Sequence, residues 1–190
     1  ESQIPVEIVD HKQAFKGYEE SLPVFNSPAI ETMMWRIPGL SEHFILLNDD
    51  FLLVRPTSPS DFFTDDGKAI CYARKFSSYW AKTLYFLSSL KSGYKRVTFK
   101  HALYRGSDLA GNRRFFFYLV HTPRAFLKSE CEKYYAEHPE DIITNIKYRF
   151  RDVGQYQIQS LLYSLMWEKD MCILRKPSKY LLFVQHWKGV

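Results

Sequence analysis

Two adjacent carboxylates, Asp49 and Asp50, follow Asn48 directly after the apolar residues 44–47, a run typical of a strand buried on both faces of a sheet. Ionised carboxylates at such a position repel each other unless a divalent cation or a proton from a substrate compensates them. Residues at strand ends line the ligand crevice of α/β sheets, so the pair predicts a metal-binding or acid–base site. The alternative is a polar turn between two strands, although the apolar residues 51–54 predict that both flanks of the pair are buried.

His121 stands where a strongly apolar strand predicted at residues 115–120 ends and where Thr122-Pro123 predicts a helix that continues to about residue 137. A histidine at a helix N-terminus experiences a positive potential, which disfavours the charged imidazolium and leaves the ring able to accept a proton. His121 is therefore a candidate general base. The alternative is a structural histidine that hydrogen-bonds a backbone carbonyl.

Three arginines could bind phosphate groups through bidentate, charge-assisted hydrogen bonds. Arg149 and Arg151 flank Phe150 just before a predicted helix and would project together from an extended segment. Arg36 stands at the end of an earlier predicted helix. The alternative for Arg149 and Arg151 is a solvated basic loop.

The chain lacks the glycine-rich dinucleotide fingerprint, the Walker A motif, the HExxH zinc motif and the GxSxG nucleophile motif. Dehydrogenase, P-loop NTPase, zincin and α/β-hydrolase activities therefore have no motif support. The three cysteines, Cys71, Cys131 and Cys172, are widely spaced. Their spacing argues against a disulfide framework and a zinc site, and it favours a reducing, cytosolic setting.

With 190 residues, 46% of them hydrophobic, the chain is long enough for one domain with a substantial core. No apolar stretch approaches the roughly 20 residues that a membrane-spanning helix needs. Residues 1–70 carry 12 acidic and 5 basic side chains, whereas residues 71–190 carry 9 acidic and 21 basic ones. This division fits a cleft where phosphates meet arginines and a metal ion meets carboxylates, or a simple polyanion-binding surface.

Strands that alternate with helices favour an α/β fold. Ser27 predicts a helix N-cap and Pro28 the first helical position, and apolar residues then recur with helical spacing as far as Ile37. Further strands are predicted at residues 4–9, 44–47, 68–72, 115–120 and 180–184. Further helices are predicted at residues 80–90, 123–137, from residue 139 onward, and at residues 155–169.

Longer and more specific patterns occur in two parts of the chain. The first part contains LPVFNSPAIE at residues 22–31, RIPGLSE at 36–42, NDDF at 48–51 and DFFTDDG at 61–67. These strings resemble the second conserved block of the Stealth family, which comprises bacterial capsular-polysaccharide phosphotransferases and their animal relative N-acetylglucosamine-1-phosphotransferase. His121-Thr122-Pro123, Pro139-Glu140 and RFR at 149–151 resemble the third block.

The resemblance covers roughly residues 5–70 and 118–165. It implies a Rossmann-like or GT-A-like central sheet with flanking helices, in a single catalytic domain over residues 1–190. The family's first block, an N-terminal strand that helps to bind the nucleotide, has no counterpart here, so we expect a fragment that lacks it. The acidic residue usual after the third block's arginine is replaced near Gly154-Gln155.

The resemblance implies transfer of a hexose-1-phosphate, such as N-acetylhexosamine-1-phosphate, from a UDP-sugar to a glycan hydroxyl in capsular or exopolysaccharide synthesis. UMP would leave and a phosphodiester would form. Asp50, His121 and Asp49 are implied as catalytic residues, with Mg²⁺ or Mn²⁺ bound by Asp49 and Asp50. The implied substrate-binding residues are Asn26, Ser27, Glu31, Arg36, Arg149 and Arg151.

Three other functions remain open. A conventional metal-dependent glycosyltransferase would use the same donor but release UDP and form a glycoside. A polyanion-binding module would explain the basic later part of the chain but not Asn48-Asp49-Asp50, and a non-catalytic remnant would lack the nucleotide site. From the resemblance we expect a nucleotide-sugar donor, an oligo- or polysaccharide acceptor, no nucleic-acid partner, and a bacterial cytoplasmic location, peripheral to the capsule machinery on the inner face of the membrane.

Overall fold

The computed structural model describes residues 5–49, 51–54, 56–92 and 99–177. Within these ranges the helices are α1 (His11–Ala14), α2 (Ser27–Met33), α3 (Ser78–Ser92), α4 (Phe99–Leu109), α5 (Lys128–Glu137), α6 (Pro139–Ile146) and α7 (Ile158–Glu168). The strands are β1 (His43–Leu46), β2 (Ala69–Ser77), β3 (Phe115–Leu119), β4 (Arg124–Leu127) and β5 (Cys172–Arg175). Short 3₁₀ turns occur at Glu19–Ser21, Met34–Arg36 and Pro59–Asp61.

The larger sheet is mixed and has the strand order β3-β2-β5. β2 pairs antiparallel with β3, where Ala73 lies opposite Leu119, and parallel with β5, where Ala69 lies opposite Cys172. Helices α4 and α7 pack on each other and on β3, and apolar side chains of sheet and helices form one hydrophobic core. The predicted α/β fold class is confirmed, as a mixed sheet flanked by helices.

A second, two-stranded ladder joins β1 and β4 in antiparallel register, with Leu46 opposite Arg124. Phe44 is buried, whereas Ile45 and Leu47 are exposed. The prediction that residues 44–47 form a strand buried on both faces is therefore wrong. The side chains of β1 alternate because one side of this strand faces the core and the other faces solvent, whereas all four residues of β4 are buried.

Helix α2 begins at Ser27, one residue earlier than a cap at Ser27 would allow, because Asn26 and not Ser27 is the N-cap. Asn26 Oδ1 accepts a hydrogen bond from the backbone N–H of Ala29 at 2.9 Å. Ser27 and Pro28 therefore occupy the first two helical positions, where the missing N–H of proline leaves no hydrogen bond unmade. The predicted helix itself is confirmed.

Helices α4 and α7 approach closely at Gly106, where a Cβ would lie 2.5 Å from the carbonyl oxygen of Gln157. Any side chain there would force the two helices apart. Next to this contact, the Ser107 hydroxyl forms buried hydrogen bonds with those of Ser160 and Ser164, at 3.0 and 2.8 Å. The close contact fixes α7, and with it the segment that leads into α7.

Two other predicted elements differ in the structure, and so does the predicted burial of residues 51–54. Residues 5–9 form no strand, and Val6 and Ile8 are almost fully exposed. Residues 51–54 are also outside any strand, and Leu52 is exposed, so that flank of the acidic pair is not buried. The helix predicted from residue 123 begins only at Lys128, because Arg124–Leu127 pair with β1 as a strand.

The strands predicted at residues 68–72 and 115–120 are confirmed, as are the helices at 80–90, from 139 onward and at 155–169, with shifted bounds. The strand predicted at 180–184 falls outside the described residues. None of the helices in the described ranges is both long enough and apolar enough to cross a membrane. The cytoplasmic location at the inner membrane face stays a prediction.

Candidate functional site

The antiparallel pairing of β1 with β4 brings the residues that follow one strand next to the residues that precede the other. Asn48 and Asp49 follow β1, and His121 precedes β4. Arg124 Nη1 donates a hydrogen bond to Asn48 Oδ1 at 3.2 Å. The His121 ring contacts the Phe51 ring edge-on, with 6.0 Å between the centroids. Asp49 and His121, both predicted catalytic residues, therefore lie at the same end of one ladder.

Asp49 and His121 are both exposed, so that a substrate can reach them. Asp49 lies in a turn, and the third predicted catalytic residue, Asp50, falls outside the described residues. The predicted helix N-terminus beside His121 is wrong, since β4 separates this histidine from α5. His121 therefore does not stand at the N-terminus of α5. Its position beside the acidic turn is what makes the histidine a candidate base.

A second part of the site joins the start of α2 to the segment before α7. Asn26 is buried, its Nδ2 donates to the Tyr148 carbonyl at 2.8 Å, and its Oδ1 accepts from Gln155 Nε2 at 2.8 Å. Asn145, also buried, donates to Thr32 Oγ1 at 2.6 Å, and its carbonyl accepts from Gln155 at 2.8 Å. These bonds show Asn26 holding the two segments together, whereas its contact with substrate stays a prediction.

The outer layer of this second part contains exposed arginines and aromatic rings. Arg151 Nη2 donates to Ser27 Oγ at 3.3 Å, and the Arg149 guanidinium lies 5.4 Å from the centroid of the Phe25 ring. Phe25 and Phe150 stack with 5.7 Å between centroids. Both arginines are exposed to solvent and lie beside the start of α2, which suits a role in binding an anionic ligand.

An open pocket of about 320 Å³, counted together with its solvent-filled mouth, adjoins Arg151. Its wall includes Pro28 of α2, Asp152 and Gln155 of the following segment, and Gln157 before α7. Asp152 and Gln157 give this wall polar groups that can form hydrogen bonds with a ligand at Arg151, whereas the Gln155 side chain already bonds Asn26 and Asn145.

Glu31 connects the two parts of the site. Gln159 Nε2 donates a hydrogen bond to Glu31 Oε2. Burial raises the pKa of the Glu31 carboxyl, while the positive charges of Arg124 and Arg151 and the Gln159 hydrogen bond act in the opposite direction. Arg124 belongs to β4 and Arg151 to the segment before α7. One carboxylate is therefore within electrostatic reach of cations from both parts of the site.

Arg36 makes contacts with the N-terminal part of the chain. Its Nη1 donates to the Ala14 carbonyl at 3.1 Å and its Nη2 to the Lys16 carbonyl at 2.7 Å. The guanidinium carbon also lies 5.1 Å from the centroid of the Tyr18 ring. These contacts fasten the segment around α1 to the end of the 3₁₀ turn, and a role for Arg36 in substrate binding stays a prediction.

Among the described residues, one group of three possible metal ligands lies close together, formed by His138, Glu140 and Asp141. The acidic members are in the first turn of α6, where negative charge suits the helix dipole. Asp141 also accepts a 2.6 Å hydrogen bond from the Tyr134 hydroxyl. The preference for acidic residues at the start of α6 explains this group. The group contains none of the predicted site residues.

Comparison with known proteins identifies the family of the chain. The family model for Stealth protein CR2, conserved region 2, matches residues 1–71, which include α2, β1 and Asn48-Asp49-Asp50. An exopolysaccharide phosphotransferase of Streptomyces coelicolor is 36% identical over 167 residues, 82% of this chain and 25% of that protein. A capsular polysaccharide phosphotransferase of Haemophilus influenzae is 33% identical over 151 residues, 77% of this chain and 38% of that protein.

The chain belongs to the Stealth family. An exopolysaccharide phosphotransferase of Lactiplantibacillus plantarum is 52% identical over 62 residues, 33% of this Stealth chain and 18% of that protein. The chain thus spans between 18% and 38% of the lengths of these three relatives.

Sequence reasoning missed three residues that shape the site of this Stealth chain: Arg124, Asn145 and Gln159. Arg124 fell inside the predicted helix. The available signal was that Arg124 is the one lysine or arginine in the HTPRAFL segment, which suggests a specific polar partner for its side chain. Gln159 is a polar residue next to the apolar face of α7, and it is buried. A buried polar residue needs a partner, which here is Glu31.

Replacing Asn26 with alanine is expected to lower the free energy of unfolding by about 2 kcal/mol, because α2 loses its cap and Gln155 and Tyr148 lose a buried partner. Urea unfolding followed by circular dichroism measures the change. Ser27→Ala is the matched control, since it removes only a long contact with an exposed arginine. Equal stability of the two variants would contradict the positioning role of Asn26.

Proposed function

We propose that this Stealth chain transfers a hexose-1-phosphate from a UDP-sugar to a hydroxyl group of a growing capsular or extracellular polysaccharide, forming a phosphodiester. The relatives that support the proposal are named exopolysaccharide or capsular polysaccharide phosphotransferases. The structural observation that carries it is the convergence at Glu31. Cations from β4 and from the segment before α7 act on the same carboxylate, as expected for a site that binds a charged and hydroxylated donor.

The exposed arginines suit the pyrophosphate of the donor. Arg151 and Arg149 lie beside the start of α2, and Arg151 is near enough to Ser27 for a hydrogen bond. Negative charge on the departing UMP phosphate grows as its bond to the transferred phosphoryl group breaks. A guanidinium held at that position therefore stabilises the transition state more than the bound substrate. Ser27 and Glu31 would then form hydrogen bonds with the donor sugar.

The acceptor hydroxyl needs a base. Its oxygen forms a bond to the phosphorus atom that carries the sugar, the bond from this phosphorus to the bridging oxygen of UMP breaks, and UMP leaves with that electron pair. The hydroxyl proton passes to His121 or to Asp50, the two candidates for the general base. His121 is exposed beside the turn that contains Asp49, so an acceptor bound there would be within its reach.

Asp49 and Asp50 are the proposed ligands of Mg²⁺ or Mn²⁺. Carboxylate oxygens are the ligands these ions prefer, and the Asp49 side chain is exposed at the end of the ladder. A bound ion would supply positive charge to the pyrophosphate. Asp49 also lies beside Asn48, whose side chain accepts a hydrogen bond from Arg124, so Asp49 follows a residue that is held in place.

Product analysis tests the proposal. The purified protein is incubated with a panel of UDP-sugars, a glycan acceptor and Mg²⁺, with and without EDTA, and the products are identified by chromatography and phosphorus NMR. Release of UMP together with a phosphodiester is expected, and EDTA should stop it. Release of UDP with a glycoside would instead identify a conventional glycosyltransferase. Failure to release either nucleotide from any donor would contradict the enzymatic proposal.

Replacing Arg151 with alanine is expected to lower kcat/KM by about 10²- to 10³-fold, the loss typical of one charge-stabilising group. Arg151→Lys should recover only part of this, because a lysine cannot form the bidentate pair with phosphate. Arg113→Ala is the control, since Arg113 is also exposed and its ion pair with Asp108 is long, at 3.8 Å. Equal activity of the Arg151 and Arg113 variants would exclude Arg151 from phosphate binding.

A further inference from the structure

Helix α3 presents large apolar side chains to solvent on one face. Tyr79, Trp80, Phe86 and Leu87 are between 51% and 72% exposed. Their spacing of one, seven and eight residues places them on the same side of a helix with 3.6 residues per turn. The helix packs on α4 and β3, so the exposed stripe lies on its remaining surface. Removing an apolar stripe of this kind from water, by contact with an apolar partner, lowers the free energy.

The part of the sequence that contains this stripe is basic. Residues 74–105 contain eight lysines and arginines and no aspartate or glutamate. Lys82 lies on α3 itself, with its Nζ 5.2 Å from the centroid of the Tyr104 ring. Lys100 lies over the rings of Phe76 and Tyr118, at 5.6 and 5.3 Å. Lys82 and Lys100 thus lie against aromatic rings, of which Phe76 is exposed and Tyr104 and Tyr118 are half-buried.

We propose that this α3 surface, formed by Tyr79, Trp80, Lys82, Phe86 and Leu87, docks on an anionic lipid bilayer. Lysines and arginines are attracted to anionic headgroups, and tryptophan and tyrosine favour the boundary between headgroups and acyl chains. A soluble polyanion would satisfy the charges and leave Trp80, Phe86 and Leu87 in water. A bilayer satisfies both features, because it offers negative charge and an apolar layer within a few ångströms of each other. The inference is independent of the proposed transferase activity.

Vesicle flotation tests the docking surface. The protein is mixed with vesicles of phosphatidylcholine alone, or of phosphatidylcholine with about 30% phosphatidylglycerol, an anionic lipid that gives the surface a negative potential. Binding is expected on the anionic vesicles and not on the neutral ones, and it should weaken as the salt concentration rises. Equal binding to the two kinds of vesicle, or binding to neither, would overturn the proposal.

Matched variants locate the surface. The double variant Trp80→Ala with Phe86→Ala should bind anionic vesicles at least about tenfold more weakly, because two large side chains no longer enter the interface. Ile143→Ala is its control, since Ile143 is similarly exposed but belongs to α6. Lys82→Gln should weaken binding by about fivefold. Lys147→Gln is its control, since Lys147 also lies 5.2 Å from a tyrosine ring, that of Tyr148.

Circular dichroism spectra and melting curves establish that each variant is folded. If the α3 variants bind as tightly as their controls, the bilayer is not held by this surface. If the protein binds the soluble polyanion dextran sulfate as tightly as anionic vesicles, and Trp80→Ala changes neither, the surface is a polyanion site and the proposal is wrong. Activity on a soluble acceptor should be the same for the α3 variants and the wild type.

Discussion

Replacing His121 with alanine is expected to lower kcat/KM for the proposed phosphoryl transfer by about 10²- to 10⁴-fold, the range typical of losing a general base. The imidazole lies exposed at the end of the β1–β4 ladder and contacts the ring of Phe51, close to the acidic turn. Because the side chain is exposed, its removal leaves no buried cavity, and the midpoint of thermal unfolding should not change. Rates of UMP release and melting curves measure the two effects separately.

His138→Ala is the matched control for this experiment, because His138 also has a partly exposed ring near a carboxylate, that of Glu140. It should keep wild-type activity. Added imidazole should restore part of the rate of His121→Ala if the lost ring transfers a proton, and it should not restore Asp50→Asn. Full turnover by His121→Ala would remove His121 from the mechanism and leave Asp50 as the candidate base.

Replacing Glu31 with glutamine is expected to lower kcat/KM by about a hundredfold without destabilising the protein at neutral pH. The amide keeps the shape of the side chain and can still accept the hydrogen bond from Gln159. It loses the charge that balances Arg124 and Arg151 and that would orient a donor sugar. An activity loss without a stability loss is the behaviour of a residue retained for function.

The pH dependence of stability gives a second measurement on Glu31. Burial raises the pKa of its carboxyl above the ordinary value of 4.5, so the folded protein holds this proton more tightly than the unfolded chain does. The charged carboxylate therefore costs stability at pH values above the folded-state pKa, and this cost disappears as the pH falls below 4.5. The melting midpoint of Glu31→Gln should accordingly exceed that of wild type at neutral pH, and the difference should shrink in acid.

Glu140→Gln is the control for these melts, since Glu140 is exposed at the start of α6. At neutral pH the melting midpoint of Glu140→Gln should not exceed that of the wild-type protein. A lower melting midpoint for Glu31→Gln at neutral pH would show that attraction to Arg124 and Arg151 outweighs the cost of burial. The interpretation of Glu31 as a strained functional carboxylate would then be wrong.

Local chemistry along the sequence was sufficient for much of this fold. Pro28 near a helix start, the apolar run at residues 115–120 and the acidic start of α6 each correctly predicted an element. Such signals depend on residues that are close together in sequence, so they predict an element whatever its position in the tertiary structure. The same holds for the motifs at residues 22–31 and 48–51, which by themselves indicated the Stealth family.

Local signals failed where a distant partner decided the outcome. Thr122-Pro123 favours a helix start, but residues 124–127 pair with β1 and become a strand instead. The apolar residues 51–54 lack such a partner among the described residues and are exposed or half-buried rather than forming a strand. Strand formation depends on neighbours that are far apart in sequence, and the periodicity of a short segment carries no information about them.

The sequence by itself determined which residue types this protein has for binding phosphate and moving a proton, and in which segments they occur. Only the tertiary structure decided which of them meet. It placed His121 beside the turn after β1, put Arg124 in contact with Asn48, and set Glu31 between cations of two separate segments. The physical reason is that hydrogen bonds and screened charges act over no more than about 10 Å, whereas Asn48 and Arg124 are brought together across 76 residues of chain by strand pairing and packing.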